Sequence, residues 1–277
     1  MVTAIFQAFI VYLSGSVALL GDTIHNFGDA FTAVPLGIAF LLQRKKPNKR
    51  FTYGYGRVED IAGIFVVLTI LVSALFAGYT SIDRFLHPQT ITHLGAVAVA
   101  SLVGFIGNEA VAIFRIKVGK EIASAALIAD GYHARTDGLV SLGVLFSVLG
   151  VWLGYPIADP IIGLCITAAI FKIVWESSIA VFTRTLDGVD PDLVDNIRQE
   201  AAQVHGVKEV TEVRVRWIGH HLHAEINITV DKHLSVEEGH NIAKEVRHEL
   251  FHHLKFLSNV SIHIDPSNAS GERYHEK

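Results

Sequence analysis

Charge and sulfur are both scarce in this chain of 277 residues: 18% of the side chains are charged, and Cys165 is the single cysteine. One cysteine excludes a disulfide framework within the chain. Its setting, Ile161-Ile162-Gly163-Leu164-Cys165-Ile166, reads as a small residue facing lipid or a neighbouring helix. With 51% hydrophobic residues and a mean hydropathy of +0.40, the chain is too apolar for an ordinary soluble domain, which leaves a membrane protein. The sequence also lacks a heptad seam, a long-period repeat and a phosphate-binding glycine loop. Gly54-Tyr55-Gly56-Arg57-Val58-Glu59 has the glycines of such a loop but not its Lys-Ser/Thr end, so it reads as a loop of small residues allowing close backbone packing.

The net charge of −4 is unevenly spread. From Gly188 onward there are 10 Lys and Arg against 15 Asp and Glu, together with 11 of the 15 histidines. An acidic, histidine-rich end suits cations as partners and argues against nucleic acid.

Long apolar runs fill the rest. Residues 2–13 are apolar but too few to cross a hydrocarbon core that needs about 20. With no basic leader and no cleavage motif they make a poor signal peptide, and read as the outer half of a truncated first helix. A second helix over 17–43 ends in Arg44, Lys45, Lys46, Lys49 and Arg50, with Arg57 close behind, which marks the cytoplasmic side. Residues 61–82 hold no charge over 22 positions, the clearest span in the chain. A fourth span is expected over 94–114, followed by a basic loop of Arg115, Lys117 and Lys120, again cytoplasmic. A fifth over 123–153 and a sixth over 159–182 are joined by a segment without Lys or Arg, which places that connection outside. The pattern gives six helices with both ends in the cytoplasm.

One spacing occurs twice within these spans. His25 and Asp29 stand four apart in the second helix, and His133 and Asp137 four apart in the fifth. Residues at i and i+4 share a helix face, so each pair presents an imidazole and a carboxylate in one direction. Two such helices side by side form a cage of two nitrogens and two oxygens, which suits tetrahedral Zn²⁺ best, with Fe²⁺, Co²⁺, Cd²⁺ and Mn²⁺ as less favoured occupants. Ionisable groups at bilayer depth are expensive and mark an ion pathway; the competing reading is a pair of polar links between helices. An unperturbed imidazole titrates near pH 6.5 and binds metal only when neutral, so it can exchange a proton for a cation. Asp22 and Asp130 each precede a cage histidine by three residues; each either orients that histidine or serves as a cap or a water-facing group. Asn108, Glu109, Arg135 and Asp159 read as polar pairs between helices.

The stretch Ser14-Gly15-Ser16-Val17-Ala18-Leu19-Leu20-Gly21-Asp22 leading to His25 and Asp29, and Ala129-Asp130-Gly131-Tyr132-His133-Ala134-Arg135-Thr136-Asp137, resemble the cation diffusion facilitator family. The similarity runs over nearly the whole chain. It implies a homodimeric antiporter of the membrane that moves divalent metal out of the cytoplasm in exchange for protons, with zinc favoured by the histidine of the second helix. No prosthetic group is implied; zinc enters as cargo and as a regulatory ion.

From residue 188 to 266 the pattern is that of a small soluble domain. Helical periodicity over 192–204 and 235–254, and alternation over 207–217, 222–230 and 259–265, give an αββαβ order with helices on one face of a sheet. This resembles the ferredoxin-like cytoplasmic domain of the family. The resemblance places His240, His263 and Asp265 at positions of a metal site at the dimer interface, whereas Thr211 and Asn227 stand where relatives have histidine. The loop site that relatives build from Asp and His after the second helix has neither residue type here, over 48–56. The remaining cytoplasmic histidines, His220, His221, His223, His233, His248, His252 and His253, are expected to face solvent. Residues 267–277 read as a disordered tail. Two rival functions stand beside efflux. A membrane metalloenzyme would need a further general base and a substrate cleft beside the metal, and a metal receptor would bind the cation without moving it.

Overall fold

A computed structural model describes residues 33–87, 94–155 and 157–269. The expected first helix, the part of the second that carries Asp22, His25 and Asp29, and residues 270–277 lie outside the described residues. The chain divides into two units, Met1–Val181 and Phe182–Lys277.

In the first unit α1 (Ala33–Gln43) is followed by four helices long and apolar enough to cross a bilayer: α2 (Arg57–Leu86), α3 (Leu94–Glu121), α4 (Ala125–Trp152) and α5 (Ala158–Thr185), the last running into the second unit. Their outward faces carry large apolar side chains such as Phe76, Phe114 and Trp175, each about two-thirds or more exposed at 68%, 67% and 70%. Such a surface is costly in water and suited to lipid tails. The inward faces pack tightly around small residues. A Cβ on Gly63 would lie 3.2 Å from Ala126 Cβ, so glycine there lets α2 close on α4. Val66, Val67, Ile70 and Ala74 of α2 meet Ala129 of α4 and Ile170, Val174 and Val181 of α5 in one apolar core.

Helices α2, α3 and α5 are longer than their expected spans, while α4 falls just within its own. The fourth expected span ends not at 114 but at Glu121, and Arg115, Lys117 and Lys120 ride on the last two turns of α3 rather than in a loop. Hydropathy stops at the first charge, but the backbone stays hydrogen-bonded, and long basic side chains carry their charge outward from a helical end.

The second unit has the expected αββαβ order: α6 (Pro191–Gln203), β1 (Glu209–Ile218), β2 (His221–Val230), α7 (Val236–His253) and β3 (Leu257–Pro266). Helix α6 starts from the Asp190 cap with Pro191 at its first position, and α7 from a capping box of Ser235 with Glu238. The sheet order is β1-β2-β3, with β1 and β2 antiparallel and β2 and β3 parallel. Helix α6 packs on β1, α7 on β3, and the two helices touch, which puts both on one face. Leu222, Ala224, Ile226 and Ile228 of β2 fill the space beneath them, each at most 2% exposed. The alternate positions form an open polar face.

Candidate metal site

Ser124 starts α4 by accepting a hydrogen bond from the Leu127 amide at 3.1 Å. Two turns on, Asp130, His133 and Asp137 follow at i, i+3 and i+7, a single face of the helix. That face is buried: Asp130 and His133 are each 2% exposed. His133 Nε2 lies 4.0 Å from Asp137 Oδ2. This is too long for a direct hydrogen bond, and less than an ångström above the roughly 3.3 Å edge between N and O ligands of one tetrahedral zinc ion. His133 stands eight residues into α4, which at 1.5 Å per residue is about 12 Å from its first residue. His133 and Asp137 thus share one buried face of α4, while His25 and Asp29 lie outside the described residues. Among the described residues no three His, Cys, Asp or Glu side chains converge on one point.

Helix α3 supplies the neighbours of this face. Asp130 pairs through Oδ2 with Arg115 Nη1 at 3.1 Å, while its Oδ1 is buried without a hydrogen-bond partner. The partner recorded for Asp130 is thus a guanidinium on the next helix. Arg135, between the two cage residues in sequence, donates from Nε and Nη2 to the two oxygens of Glu109 at 3.2 and 2.7 Å. The expected interhelical role of Glu109 and Arg135 is what the structure shows.

In the second unit, His263 Nε2 and Asp265 Oδ1 are 2.9 Å apart. The register pairs Asn227 with His263 and Thr229 with Asp265, on the sheet face away from the helices, where His263 is half-buried and Thr229 and Asp265 are buried. Ile264, between them, points the other way and reaches 3.8 Å from where a Cβ on Gly239 of α7 would stand. His240, next to Gly239, is exposed on the helical layer. Within one chain, then, His263 and Asp265 are together and His240 is on the other side of the sheet. His221, His233, His248, His252 and His253 are exposed as expected, while His220 and His223 are half-buried.

Residues 1–183 match the family model described as the cation efflux transmembrane domain, and residues 189–267 the cytoplasmic domain of cation efflux proteins. A probable cation efflux system protein of Mycobacterium tuberculosis, Rv2025c, is 57% identical over 96% of this chain and 80% of its own length. The chain belongs to the cation diffusion facilitator family. More distant family relatives include the magnetosome protein MamB of Magnetospira, 29% identical over 92% of this chain and 87% of its own. The manganese efflux system protein MneP of Bacillus subtilis is 26% identical over 94% and 90%. A cation diffusion facilitator is a multi-pass membrane transporter of metal cations, and its C-terminal domain is cytoplasmic.

Two features of this facilitator were not singled out as site residues in the sequence. Arg115 follows the fourth apolar run as one of three basic residues, and its pairing with Asp130 depends on how α3 crosses α4. Glu59, 1% exposed, was read as part of a glycine-rich loop; a glutamate opening an apolar run, next to Asp60, was the one available signal.

Proposed function

We propose that this chain exports a divalent cation, zinc first, from the cytoplasm in exchange for protons, and that His25, Asp29, His133 and Asp137 bind it. The observation that carries the reading is the buried His133 and Asp137 pair on α4, with donor atoms 4.0 Å apart. The same spacing of His25 and Asp29, in the expected second helix, supplies a matching pair. Two carboxylates balance the charge of one divalent ion, so it can enter and leave a low-dielectric site. The two imidazoles are the groups able to take up protons when the cation departs. Alternating access is rocking of the helices about this site.

Manganese is the second candidate cargo, supported by the name of MneP among the relatives, with iron, cobalt and cadmium behind it. We also place the working unit as a homodimer held by the cytoplasmic domains, with His263 and Asp265 as ligands of a regulatory zinc on the open sheet face and His240 as the ligand contributed across the dimer. Metal-driven proton flux in proteoliposomes tests the cargo and the exchange together, with Zn²⁺, Fe²⁺, Co²⁺, Cd²⁺ and Mn²⁺ compared. Zinc should give the largest flux, lost in His133→Ala with Asp137→Ala. Flux unaffected by that double substitution would remove the site assignment. Binding without flux would support the receptor reading.

A further inference from the structure

Three helices meet at one buried carboxylate. Glu59 sits in the first turn of α2. Gln43, the last residue of α1, donates from Nε2 to Glu59 Oε2 at 2.5 Å and also reaches the Gly56 carbonyl at 3.4 Å. Ser124, the cap of α4 and itself 0% exposed, donates its hydroxyl to Glu59 Oε1. The carboxylate lies at the N-termini of both α2 and α4, whose aligned peptide dipoles favour negative charge there. Hydrogen bonds to an ionised acceptor are roughly twice as strong as neutral ones. Just inside this junction, Leu36 and Ala39 of α1, Ala62 of α2 and Ala126 of α4 close the space between the helices, each at most 3% exposed.

We propose that Glu59 is a positioning residue of the transport cycle: it latches the cytoplasmic end of α1 to that of α4 and must release one of them for a cation to enter from the cytoplasm. The inference rests on the reading that these two helices carry the two halves of the transport site. Helix α1 continues in sequence from the segment bearing His25 and Asp29, and α4 bears His133 and Asp137. The end of α1 leads into the basic stretch 44–50, and α4 follows Lys117 and Lys120, so both ends lie on the cytoplasmic side. A path from the cytoplasm between α1 and α4 crosses the apolar cluster, and parting the helices there breaks the bond to Gln43 or to Ser124. All three polar groups sit at the membrane boundary, where water can replace the broken bond. The latch can therefore open and reclose, which a junction in the hydrocarbon core could not do at similar cost.

Two measurements test it, both in a Cys165→Ala background. In the first, Ala39→Cys places a thiol behind the latch, and a membrane-impermeant maleimide is applied from the cytoplasmic side. Glu59→Gln keeps the shape but turns one acceptor into a donor, so labelling should accelerate roughly tenfold, the loss expected for a charged hydrogen bond. Unchanged labelling in protein that still runs as a folded species on gel filtration would overturn the proposal. In the second, Gln43→Cys with Ser124→Cys, whose side chains flank the Glu59 carboxylate, is cross-linked by a short bifunctional methanethiosulfonate that reduction removes. Flux should stop and return on reduction; flux that continues through the cross-link would show that the ends never part, and would also overturn it. The labelling result needs no cargo, so it decides the latch even if no cation were transported and the transport reading failed.

Discussion

Arg135 lies between His133 and Asp137 on α4, and its guanidinium is held by both oxygens of Glu109 on α3, at 3.2 and 2.7 Å. The fork-to-fork geometry fixes the direction of the guanidinium. It neutralises a positive charge within two residues of both His133 and Asp137.

Removing one partner exposes this role. Glu109→Ala should lower stability by about 1.5–3 kcal/mol, the range for hydrogen bonds to charged groups, and weaken zinc binding because Arg135 is left uncompensated. Glu109→Ala with Arg135→Ala should recover most of both losses, since the cost lies in the stranded charge. Thermal unfolding in detergent with and without zinc reads both; a double variant worse than the sum of the singles would contradict the argument.

Two glycines of the α3 and α4 pair make a matched test of packing. A Cβ on Gly131 would stand 2.6 Å from Ile116 Cγ1 and 3.0 Å from its backbone nitrogen, so the helices would have to separate. Gly131→Ala should cost about 1–3 kcal/mol by overpacking. Gly107 on α3 has nothing within 4 Å of that position, so Gly107→Ala should be neutral or raise stability by up to about 1 kcal/mol through helix propensity. The unfolding midpoints of the two variants should move in opposite directions, or only that of Gly131→Ala should move.

The sequence made local periodicity plain and left long-range pairing hidden. Residues such as Leu222, Ala224 and Ile226 alternate with polar neighbours, so β2 could be read without a partner in view. The spacing of His133 and Asp137 likewise carries its own geometry, because one helix positions both. Glu59 is the opposite case. Its burial depends on Gln43 and Ser124, 16 and 65 positions away, and its place at the head of an apolar run does not reveal those partners. His240, His263 and Asp265 show a third kind of limit. Alternation places His263 and Asp265 on one face, but which face carries α7 is a property of the packed domain.

Acid should loosen the start of α7 before neutral pH has any effect. Hydrogen bonds from the Ser235 amide and hydroxyl hold the Glu238 carboxyl below its ordinary range. Those from Lys208 and the His233 amide do the same for Asp231. A carboxyl depressed in the folded state contributes stability that is fully present above its unfolded value, about 3.9 for Asp and 4.3 for Glu, and is lost as pH falls through the folded one. Hydrogen exchange at the Glu238 and Gly239 amides, which are bonded to Ser235, should therefore be flat from pH 7 to about 5, after correction for intrinsic rates, and lose protection below about 4. Ser235→Ala, which removes the cap, should lower protection at every pH, by about 1 kcal/mol. Protection that fell between pH 7 and 6 would assign the effect to histidine instead.

The separation of His240 from His263 and Asp265 decides what a cytoplasmic metal must do. His263 and Asp265, two apart on β3, would leave a tetrahedral ion held by them two ligands short, and His240 of the same chain cannot supply one from across the sheet. The shell is completed by a second copy or by water, and these differ in their response to dilution. A ligand from a second copy makes binding and dimerisation mutually reinforcing, so zinc affinity falls as the dimer dissociates. Water as the remaining ligand gives an affinity independent of protein concentration. With the transport site removed by His133→Ala and Asp137→Ala, titration calorimetry should show zinc binding that weakens on dilution. His263→Ala and Asp265→Ala should each reduce it at least about tenfold, as loss of a metal's immediate partners does. Binding unchanged by either substitution would place the cytoplasmic metal elsewhere and leave the pair on β3 a hydrogen bond of the sheet.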